Sequence, residues 1–254
     1  MIKIDNTPID VNEYLKKYPV HSIERETVRI MSASSSSYNY ADIGQLDFEL
    51  LLRREIVNSA KALNQSGLHF KVFRQSICNE KYWNRKRDGG FELKDDVSAA
   101  EAINDIYTNG SKYGTECATA MLIVYYKALL NVFSKERFDS MFKNIYLMNW
   151  SRIGWKLKEV GSVHKVADFL PGDRLYFDNP EVSPLTPYLQ GENVIDLSGG
   201  KYYGHGVGIH SADAFIKMLN SNRKEGATKS AYLMDVAGRP NFKSLAKDYS
   251  SSTL

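Results

Sequence analysis

The chain has 254 residues, 33 Lys and Arg against 30 Asp and Glu, a net charge of +3 and 43% hydrophobic content. That is enough apolar material for one large or two small folded domains. The charge is too balanced for an electrostatic nucleic-acid footprint, since the basic residues are scattered apart from residues 81–87. Two cysteines, Cys78 and Cys117, are too few for a disulfide framework, and no apolar leader or run of about 20 apolar residues is visible, so a soluble, intracellular, globular protein is expected.

In chain order, residues 1–40 read as an arm rather than a core segment, because they close on the polar run from Met31 through four consecutive serines to Ser37. Next, Ile43, Leu46, Leu50, Ile56, Ala60 and Leu63 recur at helical steps, which predicts a helix over residues 43–65, ended by Gly67. His69 to Phe73 fits either a strand or a short helix, and residues 82–93 fit a hairpin or long turn with Asp88-Gly89 at its tip. Ser98 with Glu101 has capping-box spacing and starts a helix to residue 107. A further helix follows Ser134, and residues 145–148 read as a strand.

The last third is β-rich. Residues 174–177, 193–197 and 201–203 are short strands, and 192–205 form a hairpin around Ser198-Gly199-Gly200. Ser211 caps a helix to about Asn220, residues 230–236 are expected to form a second, and the chain from residue 241 reads as a flexible tail. Helices before an antiparallel sheet give an α+β class, with one main domain over 41–240.

The chemically suggestive stretch is Thr115-Glu116-Cys117, which runs into a segment without a charge from Ala118 to Tyr126. A helix apolar nearly all round belongs inside a protein. Gly114 supplies a joint and Thr115 a capping hydroxyl, so Cys117 falls on the first turn, where free N–H groups and the dipole lower a thiol's pKa. The plainer alternatives are a small buried hydrophobe, or a strand built on Ile123 and Val124.

Three residues are candidate proton acceptors. Glu192 enters an apolar strand, where desolvation would raise its carboxyl pKa. Glu116 adjoins the cysteine, and His205 lies between two glycines. Each also has a plain reading: a solvated carboxylate, an acid placed for helix electrostatics, a turn histidine. His21, His69, His164 and His210 lack metal-ligand spacing, so no metal or cofactor is expected. The Gly204-x-Gly206-x-Gly208 pattern lacks both dinucleotide-loop spacing and a following lysine.

Thr115-Glu116-Cys117-Ala118-Thr119-Ala120 with Tyr125-Tyr126 resembles the active-site segment of the spore coat transglutaminases of bacilli, the protein-glutamine gamma-glutamyltransferases. Other blocks agree in order: Phe48-Glu49-Leu50 with Arg53, Tyr82-Trp83, residues 172–181, Gly191-Glu192-Asn193, residues 202–209 and residues 230–233. The resemblance covers about residues 40–237. It implies an NlpC/P60-like, papain-like core with the nucleophile at a helix N-terminus packed on an antiparallel sheet. Cys117 would be that nucleophile, Glu192 its main acid–base partner, Glu116 a partial substitute and His205 an auxiliary. It also implies no calcium requirement and a tunnel with Phe70, Trp150 and Tyr176 in its wall. Leu189 stands where the family carries a tryptophan, which implies a wider or less rigid wall there.

The implied partners are glutamine- and lysine-bearing spore coat proteins, with no nucleic acid and no membrane, and the chain is expected to be a monomer of the mother-cell cytoplasm and the spore coat. The expected chemistry is a Cys117 thioester, its oxyanion held by backbone N–H groups at the helix start and its aromatic surroundings excluding water. Two alternatives remain at this stage: a thiol amidase or peptidase of the same scaffold using His205 as base, and a non-catalytic coat protein with an unreactive Cys117.

Overall fold

The computed structural model describes residues 1–251. Two packed helices lie at its centre, α1 (Ile43–Gln65) and α2 (Cys117–Val132). The Asp42 carboxylate caps α1 by accepting the Gln45 N–H at 2.8 Å. From Ala118 to Tyr126 α2 carries no charge and every residue is buried, with Ala120 to Val124 entirely shielded from solvent. Phe48, Leu52 and Ile56 of α1 and Met121, Val124 and Leu129 of α2 share one hydrophobic cluster.

The main sheet has five strands: β1 (Arg174–Asp178), β2 (Gly191–Asp196), β3 (Lys201–Gly204), β4 (Gly208–Ser211) and β5 (Tyr232–Leu233). They lie antiparallel in the order β4-β3-β2-β1-β5. The β2–β3 turn uses Ser198, Gly199 and Gly200 at φ of 72°, 61° and 68°, so the expected hairpin forms around that triplet. All six residues of β2 are buried. Ile195 and Leu197 join the helical cluster, while Val194 packs with Phe177 and with Phe215 of the helix Ala212–Asn220. A strand buried on both faces thus separates two cores. The hairpin around Gly89 and the helix Ala99–Thr108, capped by Ser98, also form where the turn and capping signals place them.

Three expectations fail. Residues 1–40 are part of the fold rather than an arm: Ile2–Ile4 pairs with Thr7–Pro8 and, in parallel, with Tyr38–Tyr40. Val28 and Met31 of the helix Ile23–Ala33 are fully buried against Leu46 and Leu50 of α1, an apolar face that would otherwise be wet. The serine run is pinned as well, since the Met1 ammonium donates to the Ser36 carbonyl at 2.8 Å and Ser34 donates its hydroxyl to Asp168.

The chain after residue 240 is not a loose tail either, because α3 (Phe242–Ser250) packs on α1 with Phe242, Leu245 and Ala246 buried. The remainder of the expected tail, beyond Ser251, lies outside the described residues. Residues 230–236 form no helix. Leu233 pairs with Phe177 at the edge of the sheet and Val236 with Lys165, so unpaired strand edges outweigh the local pattern.

A buried ion network joins helix to sheet. Arg53 of α1, 0% exposed, donates to Glu49 Oε1 and Asp173 Oδ1, each at 2.9 Å, and Arg239 donates to Asp173 Oδ2 at 2.6 Å. Removing Asp173 leaves the fully buried Arg53 with one carboxylate in place of two. Asp173→Ala should therefore lower unfolding stability by about 3–5 kcal/mol in urea titrations, an order-of-magnitude figure. Breaking the exposed Lys165–Asp235 pair with Lys165→Ala should leave the midpoint unchanged.

Candidate active site

Cys117 is the first residue of α2, and the residue that caps it is Glu116, not Thr115. Glu116 is extended, at φ −89° and ψ 173°. Its Oε2 accepts the Ala118 N–H at 2.6 Å, and its Oε1 accepts the Thr119 N–H at 2.8 Å and the Thr119 hydroxyl. Thr115 is instead used in a two-residue parallel bridge in which Gly114–Thr115 pairs with His69–Phe70, and this sets Phe70 beside the cysteine.

That cap changes the electrostatics expected from the sequence. Two of the first-turn amides, those of Ala118 and Thr119, are taken by a carboxylate, so those two are free neither to stabilise a thiolate nor to hold an oxyanion. Burial first, then the charges of Glu192 and Glu116, push the Cys117 thiol well above the ordinary thiol value. Asn193 acts in the opposite direction, first through its backbone and then through its side-chain Nδ2, which donates toward Sγ at 3.6 Å. Cys78, half-buried, is also pushed up, to about 11, by burial.

Glu192 is 3% exposed, its Oε1 is buried without a hydrogen-bond partner, and burial together with Glu116 raises its carboxyl well above the usual range. No hydrogen bond joins it to Cys117 among the described residues. It opens instead into a cavity of about 400 Å³ lined also by His205, Val207 and Met218. Cys117 opens into another, of about 640 Å³, lined by Trp150, Tyr176, Gln190 and Asn193. Phe70 and Tyr188 line both cavities, with their ring centroids 6.4 Å apart. All three aromatic positions expected in the wall, Phe70, Trp150 and Tyr176, thus face the cysteine cavity.

Glycines make the close approaches possible. A Cβ at Gly191 would fall 2.2 Å from the Tyr176 hydroxyl oxygen. Gly206, at φ +92°, lies where a Cβ would meet the Phe70 ring at 2.8 Å. The Trp150 loop is tied to α2 through Asn149, whose N–H donates to the Thr119 hydroxyl at 2.8 Å.

His205 lines the Glu192 cavity and not the Cys117 cavity. Its Nε2 donates to the His69 carbonyl at 3.2 Å, and its Nδ1 accepts from the Tyr203 hydroxyl at 3.4 Å. Burial lowers its pKa to about 4, so the ring is neutral near pH 7 and braces the strand that carries Phe70. Asn193, Thr119 and Tyr188 went unassigned from the sequence. Asn193 had a usable signal: alternation along a doubly buried strand turns the residue after Glu192 toward the helix. Among the described residues, no group of three His, Cys, Asp or Glu is placed to hold a metal ion.

The family model for protein-glutamine gamma-glutamyltransferase matches residues 1–249. A protein-glutamine gamma-glutamyltransferase of Bacillus cereus (strain AH187) is 41% identical over 246 residues, 97% of this chain and 87% of that protein. One of Halalkalibacterium halodurans is 42% identical over 218 residues, 85% of this chain and 75% of that protein. The solved transglutaminase from Geobacillus stearothermophilus, without its C-terminal extension, superposes with a TM-score of 0.77 at 44% identity, covering 81% of this chain and 97% of that one. The chain belongs to the protein-glutamine gamma-glutamyltransferase family.

Proposed function

We propose that this transglutaminase forms its thioester on Cys117, with Glu192 as the acid–base partner, and joins protein glutamine to protein lysine without calcium. The observation that supports this most is the buried, unpartnered Oε1 of Glu192, in a cavity that shares Phe70 and Tyr188 with the cysteine cavity. A carboxyl raised this way keeps its proton at higher pH than an ordinary carboxylate does, so it can act as a proton donor as well as an acceptor. The fold is read as an NlpC/P60-like, papain-like core. Spore coat proteins are the proposed substrates, and the mother cell and coat the proposed location.

The steps follow from the groups present. Glu192 takes the thiol proton, through the bound substrate or one intervening water, and sulfur attacks the glutamine carboxamide carbon. The tetrahedral intermediate collapses as Glu192 returns that proton to the departing nitrogen. Ammonia leaves and the thioester remains. A lysine amine then attacks the thioester, Glu192 removes its extra proton, and the thiol is released as the isopeptide forms. Asn193 Nδ2 is a donor already at the sulfur. Glu116, whose oxygens are occupied by the helix start, serves as the cap, and His205 as the brace of Phe70. Apolar walls limit water at the thioester and favour the neutral, nucleophilic lysine.

Incorporation of a fluorescent primary amine into a glutamine-bearing protein tests this. Activity should survive EDTA, vanish in Cys117→Ala and fall by about 10²–10⁴ in Glu192→Gln. Release of ammonia without amine incorporation would sink the transferase reading in favour of a hydrolase.

The pH profile carries a sign. Below the raised pKa values the Cys117–Glu192 pair holds both its protons and is inert. kcat/KM should therefore rise with pH across a range above that of an ordinary carboxylate, with an apparent pKa belonging to the pair. His205→Asn should leave that rise in place, because His205 already lacks a charge above about pH 4.

Phe70→Ala opens the partition between the two cavities to water. The ratio of hydrolysis to amine transfer, read as ammonia released against amine incorporated, should increase several-fold.

A further inference from the structure

Arg174 of β1 is an unusual buried cation. It is 3% exposed, yet among the described residues it takes part in no ion pair. Its Nε donates to the Val160 carbonyl at 3.0 Å and its Nη2 to the Ser162 carbonyl at 3.3 Å. Its guanidinium carbon lies 4.3 Å from the centre of the Trp150 ring. The remaining arm, Nη1, donates to Asn193 Oδ1 at 3.0 Å. Arg53, the other deeply buried arginine, has two carboxylates against it. Placing an unpaired charge inside a protein is costly, so an arginine held only by neutral groups calls for a counter-charge elsewhere.

The bond to Asn193 identifies where that counter-charge arises. A guanidinium only donates hydrogen bonds, so the Asn193 atom facing it must be the oxygen. The amide nitrogen is thereby turned the other way, where it donates toward Cys117 Sγ at 3.6 Å. A cation, one amide and the sulfur stand in line. Trp150 stacks on the same guanidinium and lines the cysteine cavity, so one side chain holds both the donor and a wall of the site.

We propose that Arg174 is a positioning residue for the reaction: through Asn193 it aims an amide N–H at the Cys117 sulfur, and its charge offsets the anion left when the Cys117–Glu192 pair loses a proton. The proposal rests on Cys117 being the nucleophile. The groups that face the thiol are Glu116 from its own helix, Glu192 and Asn193 from β2, and Tyr176 from β1. Tyr203 of β3 faces Glu192, and Tyr125 of α2 faces Arg174. The carboxylates oppose formation of a thiolate, and Arg174 is the fixed positive charge at this cluster. Burial lowers the guanidinium's own pKa and the Cys117 charge raises it, the reciprocal sign of the same interaction.

The test is the rate at which iodoacetamide alkylates Cys117 as a function of pH, read by mass spectrometry of the Cys117 peptide in the full chain. Arg174→Met and Asn193→Ala should each move the midpoint upward by about one pH unit, so that labelling at pH 7 slows about tenfold. Arg174→Lys, which keeps the charge without the fork, should fall between Arg174→Met and the unsubstituted protein. A Lys variant no faster than Met overturns the role assigned to the charge. Folded Met and Ala variants whose profiles superpose on that of the unsubstituted protein overturn the proposal as a whole. If Arg174→Met fails to fold, Arg174→Gln takes its place, and a folded Gln variant whose profile superposes on that of the unsubstituted protein overturns the proposal, because Asn193→Ala removes the sulfur's own donor as well as the link. Amine incorporation by Cys117→Ala would overturn the thioester reading instead, so the two failures are distinguishable.

Discussion

The constraint on which the structure depends is a helix that must be covered on every side while its first residue stays reachable. From Ala118 to Tyr126 α2 has no polar face to give to water, so α1, the helix Ala99–Thr108, β2 and neighbouring loops all pack on it. Its N-terminus cannot simply be buried, because the first backbone N–H groups need partners. Glu116 supplies those of Ala118 and Thr119 and in doing so sets a negative charge beside the thiol. The cap that makes the helix end stable is therefore the group that makes the thiol hard to ionise.

The surrounding charges can be understood as a response to that conflict. A second carboxyl, Glu192, is buried close enough to raise the thiol further, and it is itself raised by Glu116. Burial and these neighbouring charges favour the protonated forms of both the Cys117 thiol and the Glu192 carboxyl. In the proposed acyl transfer Glu192 would give a proton to the leaving ammonia and take one from the incoming amine. Arg174, held by carbonyls, an amide and the Trp150 ring, is a fixed cation near this cluster.

The aromatic walls follow from backbone geometry as much as from side-chain chemistry. Phe70 is placed by a two-residue parallel bridge and braced by a neutral His205, and Tyr176 fits because position 191 has no side chain. The arginine, carboxylate and tryptophan groups are supplied by different parts of the chain, so the site forms only when the sheet has docked on the helices. The buried Arg53–Asp173 pair joins those two halves.

The sequence by itself determined the elements whose signals are local. The periodicity of residues 43–65, the Ser98 and Ser134 caps, the Asp88-Gly89 and Ser198-Gly199-Gly200 turns and the uncharged run after Cys117 each act within a few residues, and the structure has the matching elements. It also carried the family, because several blocks agreed together. The decisions left to the tertiary structure involve partners far apart in the chain. Residues 1–40 fold because α1 has an apolar face to cover, residues 232–233 are a strand because β1 has an open edge, and 242–250 is a docked helix for the same reason as the first. The direction of the Cys117 pKa was misjudged because helix position alone favours a thiolate, whereas burial and two carboxylates, one of them 75 residues away in the chain, reverse the sign. Dielectric surroundings are a property of the packed molecule, and no local pattern encodes them.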